Sequence, residues 1–534
     1  MSAPVEGSIE SVAAAAPLRV APAAFASEPV RELRRPAVRE ALQSALTTLE
    51  GELPLQVQAC ASGGGRLWSL NPCRPQQVVA VAPVAGEGDV GAAVGAAVGA
   101  GACWAAVPAT ERAEVLRGAA AWMRERRDRL AALALLECAK PWAEADADVC
   151  EAIDFLEYYA RAAVALDEPL PLVSPPGEHN SMRYRARGVV AVIAPWNFPF
   201  AIATGMSAAG IATGNTVVLK PAEQSPACAG ELAHALAAAG LPDGVFTLAT
   251  GAGETGAALA RDARVQTIAF TGSVPVGRQI IAAAAARERR HLTRVVCEMG
   301  GKNCVLVDGD ADLDEVVPDV IASAYAYAGQ KCSAASRVLV HERIHDTLVE
   351  RLAGAVRLLR VGDAASFETN VPALIDEESV RRVARYAALA REEGEIAAEQ
   401  DAIPDAGWYA APSLVTGLPA NSPVLEEEIF GPLLAVQAVR DIDAACDIVD
   451  ALPFALTGGL FSRDPAVVER VIARSPVGNL YVNRGTTGAK VARQPFGGNR
   501  LSGSGAKAGG PDYLLQFVDG QVVSENTVRH GVVL

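Results

Sequence analysis

The chain has 534 residues, of which 51% are hydrophobic and only 5% aromatic, with a formal net charge of -15 and a pI of about 5.1. This length predicts two or more domains, each with a substantial core. The acidic balance argues against nucleic acid or an anionic membrane as a partner, although local N–H groups or basic residues could still bind a small anion.

Ten cysteines are scattered along the chain without a CxxC pair, and six histidines show no metal-ligand spacing. We therefore predict a reducing, cytoplasmic location and no catalytic metal. Residues 1–26 contain an alanine run without a basic leader, and they are predicted to form a disordered or loosely packed arm. No run of about 18 strongly apolar residues occurs, which predicts that no segment spans a membrane.

The order of predicted elements indicates an α/β protein. Alanine-rich helices are expected up to residue 164, followed by a proline-rich linker or hairpin over 165–187. From residue 188, apolar β-branched strands alternate with helices through short connections, which predicts a doubly wound parallel sheet of the dinucleotide-binding type. A second α/β pattern begins near Arg294, and the β-leaning tail is predicted to reach another subunit or the hairpin.

Two residues in the stretch from Thr293 to Arg337 are candidate catalytic residues. Cys332 lies in the polar, small-residue segment GQKCSAASR, and Glu298 lies in a turn 34 residues before it. A thiolate can attack a carbonyl carbon, and a carboxylate can then activate the water that releases the acyl group. Lys331 and nearby N–H groups could lower the pKa of the Cys332 thiol from its usual value of about 8.5. Cys297 lies in the apolar run VVC and is predicted to pack in the core.

Three further positions follow predicted strands. Asn197, in PWNFP, can donate a hydrogen bond to a developing oxyanion, or it can simply bond backbone in a strand-ending turn. Lys220 and Glu223 follow the next strand, where an open α/β sheet binds ligands. They can bond a ribose diol, or they can be exposed loop charges.

Two other motifs suggest a cofactor only weakly when each is taken alone. FTGSVPVG joins a strand to a helix whose N-terminus can attract phosphate, although it is not GxGxxG. Glu428, in EEEIFGP, can contact a ribose or cap a loop. The sequence contains no GxSxG and no GxxxxGK[ST], which removes the usual serine-hydrolase elbow and the P-loop.

Taken in order, PWNFP, KPAEQSP, FTGS, EMGGKN, GQKCSA, EEEIFGP and QPFGG resemble the aldehyde dehydrogenase superfamily over about residues 30–534. The resemblance implies an α/β fold with two doubly wound domains and a small β flap for oligomerisation. The NAD-binding domain would comprise 27–164 and 188–293, and the catalytic domain 294–505. The flap would comprise 165–187 and 506–534.

The resemblance also implies roles for individual residues in the NAD(P)-dependent oxidation of an aldehyde. Cys332 would be the nucleophile and Glu298 the general base, while Asn197 and the Cys332 backbone N–H would form the oxyanion hole. The implied cofactor contacts are Pro195, Trp196, Lys220, Glu223, Gly253, Phe270, Thr271, Gly272, Ser273, Gly300, Glu428 and Phe430. Glu223 would repel a 2′-phosphate, which favours NAD over NADP.

A narrower set of motifs, GQKCSAASR, NRGTTGAKVARQPFGG and KAGGPDYLLQF, resembles the L-glutamate γ-semialdehyde dehydrogenase branch. This implies the oxidation of that semialdehyde, formed from pyrroline-5-carboxylate, to L-glutamate in proline catabolism by a homodimer or larger homo-oligomer. Ser333, Gly488 and Ala489 would hold the α-carboxylate. Phe198 and Phe496 would sandwich the aliphatic chain, and Glu151 would approach the α-amino group.

Alternative functions remain open at this point. EMGGKN replaces the commoner ETGGKN, and Asn499-Arg500 follows QPFGG where an acidic residue and a glycine are more usual. Another anionic semialdehyde, such as succinic semialdehyde, could be the substrate, or the chain could be a catalytically silent NAD-binding protein. An acyl-CoA-forming dehydrogenase is also conceivable, but Glu298 as a water activator favours hydrolysis. No segment resembles a proline dehydrogenase barrel, so the chain is expected to act alone.

Overall fold

The computed structural model describes residues 25–285 and 289–528, so the predicted arm up to residue 24 and the last six residues of the tail lie outside the described part. The α-helices are α1 (Pro36–Glu50), α2 (Glu87–Ala106), α3 (Ala109–Glu125), α4 (Arg127–Cys138), α5 (Trp142–Asp167), α6 (Ala201–Ala212), α7 (Pro226–Ala238), α8 (Gly253–Arg261), α9 (Val274–Ala284), α10 (Leu313–Tyr325), α11 (His345–Arg357), α12 (Glu377–Glu393), α13 (Pro423–Glu426), α14 (Ile442–Ala451) and α15 (Pro465–Arg474). Three short 3₁₀ helices span Ala326–Gly329, Glu342–Ile344 and Tyr513–Phe517.

The strands form five sheets in the described part of the chain. They are β1 (Leu55–Gln56), β2 (Arg66–Asn71), β3 (Arg74–Pro83), β4 (Leu170–Pro171), β5 (Glu178–Ala186), β6 (Val189–Ile193), β7 (Thr216–Lys220), β8 (Phe246–Leu248), β9 (Val265–Gly272), β10 (Arg294–Met299), β11 (Asn303–Val307), β12 (Ala335–His341), β13 (Glu395–Glu399), β14 (Ser413–Thr416), β15 (Leu433–Val439), β16 (Phe454–Ala455), β17 (Thr457–Phe461), β18 (Asn479–Val482), β19 (Asn499–Arg500) and β20 (Val518–Asn526). Two small sheets pair β1 and β2 with β3, and β16 with β19.

A five-stranded parallel sheet in the order β10-β9-β6-β7-β8 forms the first α/β layer. Its central strand is buried along its whole length, as expected for a run of Val, Ala and Ile with helices on both faces. Val190 and Val192 join the core beneath α3 to α7, while Val189 and Ala191 join the core beneath α2, α8 and α9. The strand and doubly wound topology predicted from residue 188 are therefore confirmed.

The second α/β layer is a seven-stranded sheet in the order β13-β14-β15-β12-β11-β17-β18. Its strands are parallel except for β13, which pairs antiparallel with β14 at the edge. One apolar cluster packs this sheet against α10, α11 and α12, and another packs it against α14 and α15. Both faces are covered, as a mostly parallel sheet requires.

The boundary expected at residue 294 does not separate the two sheets. Strand β10 pairs with β9, with Glu298 opposite Thr271, so the first sheet continues to Met299 and the second begins at Asn303. The apolar run of β10 has no feature that assigns it to one sheet or the other, because the pairing partner is distant in sequence. As a result, Glu298 lies at the carboxyl end of an edge strand of the first sheet.

The segments expected to form a flap meet in a separate antiparallel sheet. Strand β20 pairs with β5 over nine residues, from Val518 opposite Ala186 to Asn526 opposite Glu178, and β4 pairs with the other edge of β5. The proline-rich stretch after α5 thus contains two strands, and the longer of them, β5, pairs with the last described strand, β20.

Helix α2 is long and apolar enough, by length and composition alone, to cross a membrane. Its buried residues Val90, Val94 and Ala97 pack onto the first sheet as part of the core shared with α8 and α9. A core helix of a globular domain meets the same length and composition criteria.

Candidate active site

The backbone around Cys332 is held by side chains from the second sheet. Asn303, the first residue of β11, donates through Nδ2 to the carbonyl oxygens of Cys332 at 2.6 Å and of Ala334 at 2.9 Å. The hydroxyls of Thr457 and Thr486 donate to the Ser333 carbonyl oxygen at 3.3 and 3.1 Å. Three consecutive carbonyls are therefore fixed, and the Cys332 side chain is carried on a rigid segment.

Cys332 lines a cavity of about 220 Å³ between the two α/β layers. The cavity is lined by all six side chains or backbone positions expected to bind substrate, namely Glu151, Phe198, Ser333, Gly488, Ala489 and Phe496. Residues separated by more than 300 positions in sequence thus surround the sulfur. The arrangement combines two aromatic rings, a hydroxyl and a glycine-containing loop around one thiol.

The environment of the Cys332 thiol differs from the expected one. Burial is the main cause of a rise in the pKa of this thiol to about 12; the carboxylates of Glu428 and Glu298 contribute to this rise, and the Ser333 backbone N–H opposes it. Lys331, expected to lower this pKa, instead directs its ammonium to the Glu144 carboxylate at 2.6 Å. The prediction of a lowered pKa is therefore wrong for this state of the protein, because the adjacent cation is already paired.

Glu298 presents a buried carboxyl group to the loop that follows Phe496. Its Oε2 accepts a 2.9 Å hydrogen bond from the Gly498 N–H, and its buried Oε1 has no hydrogen-bond partner within the described residues. Burial raises the pKa of Glu298 to about 8, against the lowering effects of that hydrogen bond and of the Lys507 charge. A carboxyl group with a pKa near neutrality is suited to accept a proton from water.

Asn197 is buried beside the cysteine segment. Its side-chain Nδ2 donates to the backbone carbonyl oxygen of Gln330 at 3.1 Å, and the backbone carbonyl oxygen of Asn197 accepts from Lys140 Nζ at 2.6 Å. A primary amide has two N–H groups, so Asn197 can donate to a second acceptor while it bonds Gln330. The same lysine lies 3.9 Å from the centroid of the Phe198 ring.

The expected cofactor residues cluster at the carboxyl ends of the first sheet. Lys220 ends β7, and its Nζ lies 3.2 Å from Glu223 Oε2. Gly253 begins α8, and a β-carbon there would meet no atom within 4 Å, which leaves open space at the helix N-terminus. Such space beside unpaired N–H groups fits a phosphate, and the Lys220–Glu223 pair fits a ribose diol. The residues present therefore suit a dinucleotide.

The FTGS segment closes one side of this cofactor region. Phe270, Thr271 and Gly272 are the last three residues of β9, and Ser273 is the N-cap of α9. A β-carbon at Gly272 would lie 2.6 Å from the Phe270 ring, so the close approach of this ring requires glycine.

The remaining expected cofactor residues lie around Glu428 and Phe430. Glu428 Oε1 accepts a hydrogen bond from the Gly301 N–H at 3.1 Å, and a β-carbon at Gly300 would lie 2.0 Å from Glu428 Oε2. The Trp196 ring, next to Pro195 at the end of β6, packs edge-on against Phe430 with centroids 5.7 Å apart. Phe430 takes the left-handed conformation, with φ of 55°, to present its ring.

Sequence reasoning missed several residues that hold the site. Asn303 was hidden within the GGKN motif, and the Lys331–Glu144 pair joins positions 187 apart in sequence. Lys507, which bonds the Gly498 carbonyl oxygen, gave no signal beyond its occurrence in a tail motif. Each acts through a long-range contact, so only a match between family motifs could have indicated it.

Comparisons with known proteins show similarity over most of the chain. A model of the aldehyde dehydrogenase family matches residues 60–523. The chain is 38% identical to a 1-pyrroline-5-carboxylate dehydrogenase of Geobacillus sp. (strain WCH70) over 509 residues, which cover 94% of this chain and 99% of the relative.

Solved structures extend these similarities. The 1-pyrroline-5-carboxylate dehydrogenase from Thermus with bound NAD superposes with a TM-score of 0.92 at 38% identity, covering 94% of this chain and 99% of that one. Proline utilization A from Bdellovibrio bacteriovorus superposes with a TM-score of 0.94 at 41% identity. This alignment covers 96% of the present chain but 54% of the other, so the chain spans about half of that protein.

Proposed function

The chain belongs to the aldehyde dehydrogenase family, and we propose that it oxidises L-glutamate γ-semialdehyde to L-glutamate with NAD as the hydride acceptor. The semialdehyde forms when pyrroline-5-carboxylate opens by hydrolysis. The proposal places the enzyme in proline catabolism, in line with the name of the similar proline utilization A.

The observation that carries this proposal is the composition of the cavity at Cys332. Phe198 and Phe496 can pack on the aliphatic carbons of a short chain, while Ser333 and the Gly488–Ala489 backbone offer donors for a carboxylate. Glu151 offers an acidic partner for an ammonium group. L-Glutamate γ-semialdehyde has the matching groups. A short aliphatic chain carries the aldehyde at one end, and the α-carbon at the other end carries the carboxylate and the ammonium group.

The proposed reaction begins at sulfur. The Cys332 thiol releases its proton to solvent, the thiolate so formed makes a bond to the aldehyde carbon, and the resulting oxyanion accepts hydrogen bonds from Asn197 Nδ2 and the Cys332 N–H. NAD, when held by Lys220, Glu223 and the N-terminus of α8, supplies the acceptor for the hydride that leaves this carbon. The carbon is then bonded to sulfur as a thioester.

Hydrolysis of the thioester needs a base. Glu298 takes a proton from water, the hydroxide formed attacks the thioester carbon, and the carbon–sulfur bond breaks to return the Cys332 thiolate. The products are L-glutamate and the reduced cofactor, and the proton on Glu298 passes to solvent. A pKa of about 8 makes Glu298 a competent base at neutral to mildly alkaline pH.

Two further inferences concern the state of the protein. We infer a homo-oligomer in which the β4–β5–β20 sheet contacts another copy, since Val522 in β20 is 62% exposed and Val173, in the connection between β4 and β5, is 76% exposed. All ten cysteines are free thiols, which supports a reducing, cytoplasmic location.

The test is NADH formation by the purified chain with a panel of aldehydes. We expect the highest kcat/KM with pyrroline-5-carboxylate, a much lower value with succinic semialdehyde, and none in Cys332→Ala. Cys297→Ala is the matched control, since this thiol is buried in β10, and it should retain turnover. Preference for succinic semialdehyde would overturn the substrate assignment, and absence of NADH with every aldehyde would overturn the activity.

A further inference from the structure

Lys507 and Glu298 bind opposite ends of the same glycine residue. The Gly498 N–H donates to Glu298 Oε2 at 2.9 Å, and the Gly498 carbonyl oxygen accepts from Lys507 Nζ at 3.1 Å. Lys507 Nζ also donates to Asn499 Oδ1 at 3.1 Å, so it bonds two consecutive residues of the loop. Asn499 is one of the two positions at which the sequence departs from the usual text after QPFGG.

The Glu298 carboxyl group and the aliphatic part of Lys507 pack so closely against Gly497 that no side chain larger than hydrogen fits there. A β-carbon at Gly497 would lie 2.5 Å from Glu298 Oε1 and 3.0 Å from Lys507 Cδ. A β-carbon at Gly503 would lie 2.9 Å from Glu298 Oε2. The position of the Glu298 carboxyl is thus set by a loop whose own position depends on Lys507.

We infer that Lys507 is a positioning residue for Glu298: it anchors the loop at 497–499 through Gly498, and its positive charge favours the ionised form of the Glu298 carboxyl that thioester hydrolysis uses. The inference deepens the proposed function and rests on it for the role of Glu298. It assigns to Lys507 no contact with substrate or cofactor.

The charges around Glu298 make Lys507 distinctive. The ionisable groups that interact with Glu298 are Lys507, the thiols of Cys332 and Cys297, and the phenol of Tyr513. Among these, Lys507 is the cation. Burial raises the pKa of Glu298 and the lysine opposes that rise, so loss of the lysine charge moves the pKa of Glu298 to higher pH.

The reaction step affected follows from the role of Glu298. In the proposed reaction the attacking group is the Cys332 thiolate, which carries no proton to transfer to Glu298, whereas hydrolysis of the acyl-enzyme requires the ionised form of Glu298. Loss of the lysine charge should therefore slow deacylation at neutral pH while acylation is retained. A merely structural lysine would lower both rates together, without a change in the pH dependence.

The experiment follows p-nitrophenyl acetate hydrolysis, because this activated ester acylates a thiol without a hydride step. The burst of p-nitrophenolate reports acylation, and the steady rate reports deacylation, each measured across neutral to alkaline pH. Lys507→Gln keeps a donor for the Gly498 carbonyl but removes the charge, and Lys507→Arg keeps the charge. Thermal melting of each variant verifies folding.

We expect Lys507→Gln to retain the burst rate, to deacylate about tenfold more slowly at neutral pH, and to shift the midpoint of the deacylation profile up by about one pH unit. Lys507→Arg should restore the original midpoint. An unchanged midpoint in a folded Lys507→Gln protein would overturn the inference, as would an equal loss of burst and steady rates.

The ester assay separates this inference from the proposed function. If the unaltered protein hydrolyses the ester but forms no NADH from pyrroline-5-carboxylate, the substrate or activity assignment fails while the Lys507 profiles still decide the role of the lysine. If the ester burst also persists in Cys332→Ala, the acylated group is another one, and both assignments are overturned.

Discussion

Asn303 and Cys332 are joined by a 2.6 Å hydrogen bond from the asparagine side-chain amide to the cysteine carbonyl oxygen, although they lie on segments 29 residues apart. The same amide bonds the Ala334 carbonyl at 2.9 Å, and its oxygen accepts from the Thr457 N–H at 3.1 Å. One buried side chain therefore ties together the three stretches that carry β11, the cysteine and β17.

The substitution Asn303→Asp tests whether this tie positions the nucleophile. The aspartate keeps an acceptor for Thr457 but loses both donated bonds, which leaves the two carbonyls without this donor. We expect the free energy of unfolding to fall by about 1–3 kcal/mol and kcat to fall about tenfold or more, since a small displacement of a reacting atom is costly. Denaturant melts and NADH kinetics measure the two effects, and wild-type kcat in this variant would contradict the role.

The charge of Glu428 should control the reactivity of the Cys332 thiol in the cofactor-free protein. Burial is the main cause of the raised thiol pKa, and the Glu428 carboxylate is the next. Burial also raises the pKa of Glu428, so the comparison is made at alkaline pH, where this carboxyl is ionised. There, removal of the negative charge in Glu428→Gln lowers the pKa of the Cys332 thiol and increases the thiolate fraction. Alkylation of Cys332 by iodoacetamide should therefore accelerate, by up to about tenfold for roughly one pKa unit.

Peptide mass spectrometry measures this alkylation site by site. Cys103, an exposed thiol on α2, serves as an internal standard in the same sample. Equal rates for Cys332 in the two proteins would show that the Glu428 charge does not reach the sulfur.

Backbone conformation at Gly488 should be essential for substrate binding. Its φ is +79°, in the left-handed region, yet a β-carbon there would meet no atom within 4 Å. Gly488→Ala thus strains the loop without a clash. If the loop N–H groups hold the substrate carboxylate, KM for pyrroline-5-carboxylate should rise about tenfold or more, the loss from one or two charge-assisted hydrogen bonds.

Gly240 provides a matched control for this substitution. Its φ is +84°, it also has open space for a β-carbon, and it lies in the turn after α7. Gly240→Ala should cost stability similar to that of Gly488→Ala but leave KM unchanged. A rise in KM with both variants would indicate a general loss of stability, and no rise with either would remove the loop from substrate binding.

The sequence predicted the parts of the fold that local patterns encode. The buried strands β6 and β7 followed from continuous apolar runs, and the alternation of strand and helix gave the parallel sheet. The pairing of β10 with β9 could not be predicted, since the strand is equally apolar whichever sheet it joins.

The residues that line the cavity were predictable from the sequence, whereas the residues that hold them in place were not. Cys332, Ser333 and Phe496 lie in motifs that stand out in the text, and the structure brings them to one cavity. The contacts of Asn303 and Lys507 depend on a three-dimensional approach of distant segments, which neither composition nor spacing records. The prediction of a lowered pKa for the Cys332 thiol was wrong because Lys331 is paired with Glu144, which lies on the distant helix α5.

Trapping of the acyl-enzyme in Glu298→Gln tests the central claim most directly. With the base removed, mixing with pyrroline-5-carboxylate and NAD should release a single burst of NADH and leave a glutamyl adduct on the peptide that contains Cys332, seen by mass spectrometry. Cys332→Ala in the same background should give neither. Continued turnover without an adduct, or an adduct on Cys297, would contradict the claim that one thiol and one carboxylate act in sequence on the same carbon.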